Sequence, residues 1–595
     1  MYKAVLPEET ICRVRAILNK MGIKTQERLF DIDDLTCSAR ITLDYGNLKM
    51  FDIGTNGKGL NSKYALASAY GELMERLQNK MMIFGVKYVS KQFRSNNVGL
   101  LGIPNKDLAF RFFPDEEYRR ITGEELNMHI EKWAPKSSVK MLDLSCKELY
   151  DMPFLPFYNV IDKEVDCLPY DIIRFAASST GLCAGNIPEE AILQGLNEIF
   201  ERYVLQRIYL DDVCLPEIPI SYFKDTEIGH RILEMEKKIH CKFIVKDCSL
   251  GEGFPVVGLL VINVKRHTYT FRLGADCSME IALQRCFTEI FQGCESVEDL
   301  SLLSIDFSEN WKEVDEYNKN VVNGRGQFPV RIFKNETKAS FQSPVWCLGN
   351  SFRERLHKRL NWLKERGYAL FVRDNSFLDF PAFHLYIPGL SNVDERLYDL
   401  QKDLLPIEDY YKVPSDFRLK RIGYAETVEL IAELKRDSHT SIRLFLYNSS
   451  PYNSLNKNLL IALLSYKIGC DKEAYIYWDA FLKQKEKDKR PLSDYYYCVK
   501  DLFGLCSLNI ANDVKTELLS SVYSKEIVLK VLDDMKERND VFVNFPIATC
   551  FDCVNCKLQH SCTYKDVIQL ENVVQQYQVD RLISQYDLSE KLGLE

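Results

Sequence analysis

The chain lacks any apolar run long enough to cross a bilayer, which takes about 20 consecutive apolar residues. It opens MYKAVLPEET, a polar stretch broken at Pro7 with no leader-like apolar core. A soluble, cytoplasmic protein with no membrane partner is therefore expected. Positive charge is not in excess: 77 Lys and Arg stand against 85 Asp and Glu, a formal net charge of −8 that argues against a nucleic-acid partner. Histidine is scarce, with 8 scattered residues, no HExxH and no Ser/His/Asp arrangement, so the familiar hydrolase chemistries find no support. A P-loop is missing too: Gly54-Thr55-Asn56-Gly57-Lys58-Gly59 has the wrong spacing and no hydroxyl after the lysine.

What is present in quantity is core material. The 595 residues, 46% of them hydrophobic, suffice for more than one domain. Cysteine numbers 19, mostly placed singly in apolar segments such as those of Cys286, Cys347 and Cys498, as expected of reduced core thiols.

One stretch stands out, Ser178 to Tyr203. Asn186 reads as an N-cap, Pro188 suits a first turn, and Glu189 and Glu190 favour the positive end of a helix dipole. Along the helix predicted from there, Glu190, Gln194, Glu198 and Glu201 recur at intervals of four, four and three, which places them on one face. Ala191, Ile192, Leu193, Leu196, Ile199 and Phe200 fill much of the remaining circumference, so these carboxylates sit in an apolar helix.

The pattern recurs twice. Residues 68–76 read SAYGELMER, with Ser68, Glu72 and Glu75 on a stripe, and 285–292 read RCFTEIFQ, with Arg285, Glu289 and Gln292 on another. A solvated face explains one such stripe; three related ones point to a shared site. Buried carboxylates repel one another and take up protons unless cations compensate them. Converging Glu side chains with a few Arg suggest a divalent metal on hard oxygen ligands together with a polyanion, and Mg²⁺-nucleotide fits best.

At these residues the chain resembles the YcaO family of ATP-dependent amide-activating enzymes. Asn56-Gly57-Lys58-Gly59, Ala65 to Ala69, Glu72, Glu75 and Arg76 are similar to the first ATP motif of that family. Ser179, Ala184-Gly185-Asn186, Glu190, Gln194, Glu198, Glu201 and Arg202 are similar to its second, and Arg285, Glu289 and Gln292 to its third. The resemblance covers most of the chain and is to the long, stand-alone branch, including Leu215 to Pro219 and Ile387 to Ser391. It implies that Lys3, Thr10, Ser68, Glu72, Arg76, Ser179, Asn186, Glu190, Gln194, Arg202 and Arg285 bind ATP. By the same likeness Glu72, Glu75, Glu198, Glu201 and Glu289 hold Mg²⁺, and Arg202, Arg285 and Glu289 act in phosphoryl transfer. A homodimer is implied as well.

The fold expected is an α/β (α+β) YcaO-type domain over residues 1–393, with mixed sheets and carboxylate-bearing helices. A helical C-terminal domain over 394–595 follows. Strands are predicted at 38–43, 242–246, 254–264, 268–272, 346–348, 368–373 and 384–387, and a first helix at 8–20. Between Leu455 and Gln484, Tyr466, Gly469, Ala474 and Trp478 are spaced much as in a tetratricopeptide unit. Cys550, Cys553, Cys556 and Cys562 fall within thirteen residues, a spacing suited to Zn²⁺ or an iron–sulfur cluster, with a structural zinc knot ranked above a catalytic role.

The resemblance implies that a nucleophile adds to a backbone carbonyl, ATP phosphorylates the resulting oxygen, and phosphate departs. The incoming group is a Cys, Ser or Thr side chain or sulfide, so the product is an azoline or a thioamide. The chain ends Glu590 to Glu595 without the proline-rich PxPxP tail of azoline-forming members. The expectation is accordingly thioamide formation or assistance to a sulfur modification such as RimO-type ribosomal protein methylthiolation. The partners expected are a peptide or protein substrate and a modification enzyme or sulfur donor. Azoline formation is the alternative, and a nucleotide-binding scaffold for a partner enzyme a third reading.

Overall fold

A computed structural model describes residues 3–46, 53–82, 113–135, 149–211, 213, 215–300, 302–310, 313–324, 326–334, 349–393, 422–436, 441–442, 455–487, 492–508, 510–545 and 564–592. The chain divides into two compact units, one of residues 1–82, 111–404 and 569–595, the other of 83–110 and 405–568.

In the first unit, helix α1 (Pro7–Lys20) leads into an antiparallel sheet of β1 (Lys24–Ile32), β2 (Thr36–Asp44) and β3 (Gly54–Gly59). Asp33 and Asp34, with φ of 55° and 60°, make the β1–β2 turn, where aspartate tolerates the left-handed region. Strand β3, sequence GTNGKG, lies directly under α2 (Ser62–Gln78). A Cβ on Gly57 would come within 2.0 Å of the Ala65 carbonyl oxygen, and one on Gly59 within 2.6 Å of the Ala65 nitrogen. Glycine is what lets strand and helix approach this closely. The alternating residues Asn56 and Lys58 then point to the other face of the sheet.

A second sheet runs in the order β12 (Leu303–Ser304), β11 (Thr268–Ala275), β10 (Val256–Asn263), β9 (Lys242–Asp247), β8 (Glu217–Ile218). A third follows the order β4 (Glu117–Thr122), β5 (Leu149–Asn159), β13 (Phe371–Asp374), β14 (Ala382–Tyr386), β7 (Leu182–Ala184), with β6 (Glu164–Pro169) also on β5. The sequence suggested mixed sheets, whereas every strand pair among the described residues is antiparallel. The strands expected at 38–43, 242–246, 254–264 and 268–272 fall on β2, β9, β10 and β11; the one expected at 346–348 lies outside the described residues.

Helix α3 (Pro188–Leu210) packs against β7, β14 and β11, with Leu196, Ile199, Phe200 and Val204 fully buried. Gly195 permits this: its Cβ would meet the Leu385 side chain at 2.6 Å and the Cys183 sulfur at 2.9 Å. Helix α4 (Met279–Ile290) crosses β10 and β11, and Gly274 makes room for it beside Ala282 and Cys286. Helix α5 (Phe352–Glu365) lies on α3, its Arg359 guanidinium 5.0 Å from the Phe200 ring centre.

Residues 569–595 belong to the first unit, although the sequence pattern suggested one boundary near Asp394 and a continuous C-terminal domain. Leu588 and Leu592 are buried in its core, Lys591 pairs with the buried Asp374, and Gln585 bonds both the amide and the carbonyl of Asp374. The second unit is helical. Helices α6 (Lys457–Lys467) and α7 (Asp471–Lys487) form the expected hairpin around Gly469 (φ 81°) and pack on α8 (Asp494–Ser507). Trp478 is fully buried there and its indole donates to the Tyr496 carbonyl at 2.8 Å. Among the described residues no helix is long and apolar enough to cross a membrane.

Gly57→Ala is expected to push β3 off α2, because the offending neighbours are backbone atoms that cannot move aside, at a cost of about 2 kcal/mol or more. Thermal unfolding followed by circular dichroism checks it; an unchanged midpoint would contradict the packing described.

Candidate functional site

Two clusters of polar side chains meet along α3. At its start, the Asn186 backbone amide and side-chain Nδ2 both donate to Glu190 Oε2, at 3.0 and 3.3 Å. Helix α1 closes over them. Thr10 Oγ1 donates to Asn186 Oδ1 at 3.0 Å, Arg13 donates to the Asn186 carbonyl at 3.0 Å, and Lys3 lies 3.5 Å from Glu190. Asn186 was expected to cap the helix. Instead the helix begins at Pro188 behind Ile187, which makes no side-chain cap, because the Asn186 amide is engaged with Thr10 and Glu190. Glu190 itself is only 6% exposed, and its Oε1 makes no hydrogen bond among the described residues.

Further along α3 the arrangement is electrostatic. Gln194 accepts from Arg285 of α4, whose Nε is also 3.4 Å from Asp276. Glu198 accepts from the Gly181 amide at 3.3 Å. On α2, Arg76 is held between Glu72 and Glu75, at 3.5 and 3.6 Å. Lys58 of β3 pairs with Glu289 of α4. Lys58, Glu72, Glu75 and Glu289 remain 28, 32, 17 and 35% exposed, so they line an open cleft.

Burial and neighbouring charge act on these groups together. Burial pushes Glu75 well above the usual carboxylate range, with Arg76 opposing and Glu198 and Glu72 adding to the rise. Burial raises Glu198 as well, against Arg202 and Arg76, and Glu201 adds to that rise. Glu201 is raised by burial against Arg202, Lys58 and Arg285. The Lys58 ammonium is pulled down to about 8 by burial; Glu201 and Glu72 oppose this, while Arg285 and Arg202 reinforce it.

Most of the residues expected from sequence are thus brought together: Lys3, Thr10, Asn186 and Glu190 in one cluster, and Glu72, Glu75, Arg76, Gln194, Glu198, Glu201, Arg202, Arg285 and Glu289 in the other. Ser68 is exposed on α2 and Ser179 half-buried before β7; among the described residues neither hydroxyl bonds another site residue. Lys58 was quoted within the first motif but given no role of its own, and Arg13 and Asp276 were not singled out. Lys58 carried a signal, a lysine alternating with glycines ahead of a helix; the other two sit in stretches with no pattern. Cys550, Cys553, Cys556 and Cys562 lie outside the described residues.

The donor set suits Mg²⁺. Mutually repelling carboxylates with raised proton affinity are hard oxygen ligands that a divalent cation would relieve. Among the described residues no three acidic, imidazole or thiol groups already form a closed metal cage. Arg76 and Lys58 stand between the carboxylates instead, compensating their charge.

A family model described as YcaO cyclodehydratase, ATP- and Mg²⁺-binding, matches residues 56–391, more than half the chain. The chain belongs to the YcaO family. YcaO proteins are ATP-dependent amide-activating enzymes, and the carboxylate cleft falls inside the matched region. An uncharacterised protein of Haemophilus influenzae is 25% identical over 521 residues, covering 83% of this chain and 85% of that one. The ribosomal protein S12 methylthiotransferase accessory factor YcaO of Escherichia coli K12 is 27% identical over 347 residues, 57% of each chain. Among solved structures, YcaO from Methanopyrus kandleri bound with AMPPCP and Mg²⁺ aligns with a TM-score of 0.39 at 16% identity, covering 66% of this chain and 94% of that one.

Because Lys58 loses its proton as pH rises through about 8, the affinity of the cleft for Mg²⁺-ATP is expected to fall over that interval. Calorimetric titrations between pH 7 and 9.5 test it, and Lys58→Met should flatten the profile. A wild-type profile that is already flat would remove Lys58 from the nucleotide site.

Proposed function

We propose that this YcaO protein uses Mg²⁺ and ATP to O-phosphorylate a backbone amide of a peptide or protein, with sulfur entering in place of the amide oxygen. The product is a thioamide, or an intermediate in a sulfur modification carried out with a partner enzyme or sulfur donor. The observation that carries the reading is that α4 meets two elements at once, its Arg285 donating to Gln194 of α3 and its Glu289 pairing with Lys58 of β3, the strand that lies under the helix carrying Glu72 and Glu75. Such a site is balanced only when a metal and a polyanion enter together.

In this reading Lys3, Thr10, Asn186, Glu190 and Gln194 orient the nucleotide, with Ser68, Ser179 and Arg76 assisting. Glu72, Glu75, Glu198, Glu201 and Glu289 provide oxygen ligands. Bound Mg²⁺ would neutralise triphosphate charge as it builds in the transition state. Arg202 and Arg285 hold the transferring phosphoryl group in line with the amide oxygen. Hydrosulfide adds to the carbonyl carbon, the resulting oxyanion takes the γ-phosphoryl group and releases ADP, and C–O cleavage expels phosphate as the sulfur gives up its proton, leaving C=S.

The name of the E. coli relative, which places that protein beside a methylthiotransferase, supports the sulfur branch. The cyclodehydratase description of the family model favours the second reading, in which a Cys, Ser or Thr side chain adds and an azoline forms. Mass spectrometry separates them, since cyclisation removes one water and thioamidation exchanges oxygen for sulfur.

Mg²⁺-ATP is expected to bind wild type, and Glu201→Gln to lose that binding with its melting temperature preserved. Peptide-stimulated ATP turnover should vanish in Arg285→Ala. Turnover retained by both variants would sink the site assignment, and nucleotide binding never accelerated by any peptide would put the scaffold reading ahead. Light scattering tests the homodimer that the family resemblance implies.

A further inference from the structure

The loop of residues 375–381, between β13 and β14, joins three elements of the nucleotide cluster. The Pro381 carbonyl accepts from the Gly185 amide at 3.0 Å, in the turn that presents Asn186. The Asp379 carbonyl accepts from Arg13, the α1 residue that also holds the Asn186 carbonyl. At the end of α2, Gln78 accepts from the Leu378 amide at 2.8 Å and donates to the Phe380 carbonyl at 2.9 Å, while Asn375 donates to Asn79 at 2.9 Å. The place of this loop therefore sets where Thr10, Asn186 and the α2 carboxylates stand.

The loop is held in turn by the C-terminal segment, whose residues Tyr577, Arg581, Gln585 and Lys591 carry no role in the readings above. Asp374, the last residue of β13, is 2% exposed, and among the described residues its carboxylate is paired with Lys591. Gln585, buried as well, accepts from the Asp374 amide at 2.7 Å and donates to its carbonyl at 3.1 Å. Arg581 pairs with the carboxylate of Asp379, the residue whose carbonyl Arg13 holds from the other side. Tyr577 donates to the carbonyl of Lys20 at the end of α1, at 3.2 Å.

A buried carboxylate is tolerated only with its cation in place, and removing one partner of such a pair costs far more than the pair itself contributes. Without Lys591, Asp374 regains water only by leaving its position, and the loop that begins at Asn375 moves with it. Apparent affinity then falls with the fraction of molecules that keep the binding-competent arrangement.

We infer that residues 577–592 are a clasp on the β13–β14 loop, with Asp374, Gln585 and Lys591 as positioning residues for the nucleotide. This rests on the nucleotide reading above and extends it. The site is completed by residues that the chain supplies only after it has passed through the second unit.

The test is calorimetric titration of Mg²⁺-ATP into the full-length protein, well below its melting temperature. Lys591→Met is expected to raise Kd at least about fivefold, and Asp374→Asn added to it, which removes the buried charge, to bring Kd back within about twofold of wild type. Gln585→Leu, which cuts both bonds to the Asp374 backbone and leaves the ion pair, should weaken binding likewise and serves if Lys591→Met folds poorly. Leu126→Ala opens a cavity in a different apolar cluster and is expected to lower the melting temperature with Kd unchanged. Wild-type affinity in both Lys591→Met and Gln585→Leu overturns the clasp and leaves the nucleotide reading intact. A double variant no better than Lys591→Met, or an equal loss in Leu126→Ala, overturns it too, the latter because affinity would then follow stability alone. Failure of wild type to bind Mg²⁺-ATP overturns both readings.

Discussion

Four carboxylates from two helices are forced into one cleft, and their mutual repulsion is the constraint around which the first unit is built. Glu72 and Glu75 come from α2, Glu198 and Glu201 from α3, and burial raises Glu75, Glu198 and Glu201 despite nearby guanidiniums. Such crowding costs free energy in the ligand-free fold, and a scaffold must hold it against relaxation. Three features do so. The glycines of β3 bring Lys58 close under α2, Arg76 bridges the two α2 acids, and α4 delivers Arg285 and Glu289 from the opposite wall.

Helix α3 gains its rigidity from its other side. Leu196, Ile199, Phe200 and Val204 are sealed in the largest apolar cluster against β7, β14 and β11, so the acids are displayed from a helix that cannot turn. The start of α3 is fixed differently. Asn186 is gripped by Thr10, Arg13 and Glu190, and Arg13 reaches on to the Asp379 carbonyl, which joins α1 to the loop between β13 and β14. That loop is held from α2 by Gln78, which donates to the Phe380 carbonyl and accepts from the Leu378 amide. The two helices bearing the acids are therefore tied to one loop at their ends as well as through the cleft.

Much of this was legible in the sequence wherever function wrote a period. The spacing of Glu190, Gln194, Glu198 and Glu201 disclosed a helix and a common side, and its echoes at Glu72 and Glu289 disclosed convergence. The β-branched runs disclosed β9, β10 and β11. Contacts that depend on tertiary approach left no period to read. Asn186 has the composition of a cap, and only the arrival of Thr10 from 176 residues away shows why its side chain serves another purpose. The return of residues 569–595 was equally hidden, because Gln585 and Lys591 find Asp374 through the fold alone.

The same crowding that would make the cleft receptive to a metal also makes it receptive to protons, since both compete for the same oxygens. Burial raises Glu75 and Glu198 alike, the Glu198 charge adds to the rise at Glu75, and a cation arriving beside them would displace the protons that burial favours. Lys58 works in the opposite sense. Desolvation favours its neutral form while Glu201 and Glu72 favour its charged form, leaving it in balance at a pH of about 8. An incoming polyanion would tip Lys58 towards the ammonium as an incoming cation tips the carboxylates towards their ionised state. Each ligand thus improves the site for the other, which is a physical reason for nucleotide and metal to enter this cleft as one complex.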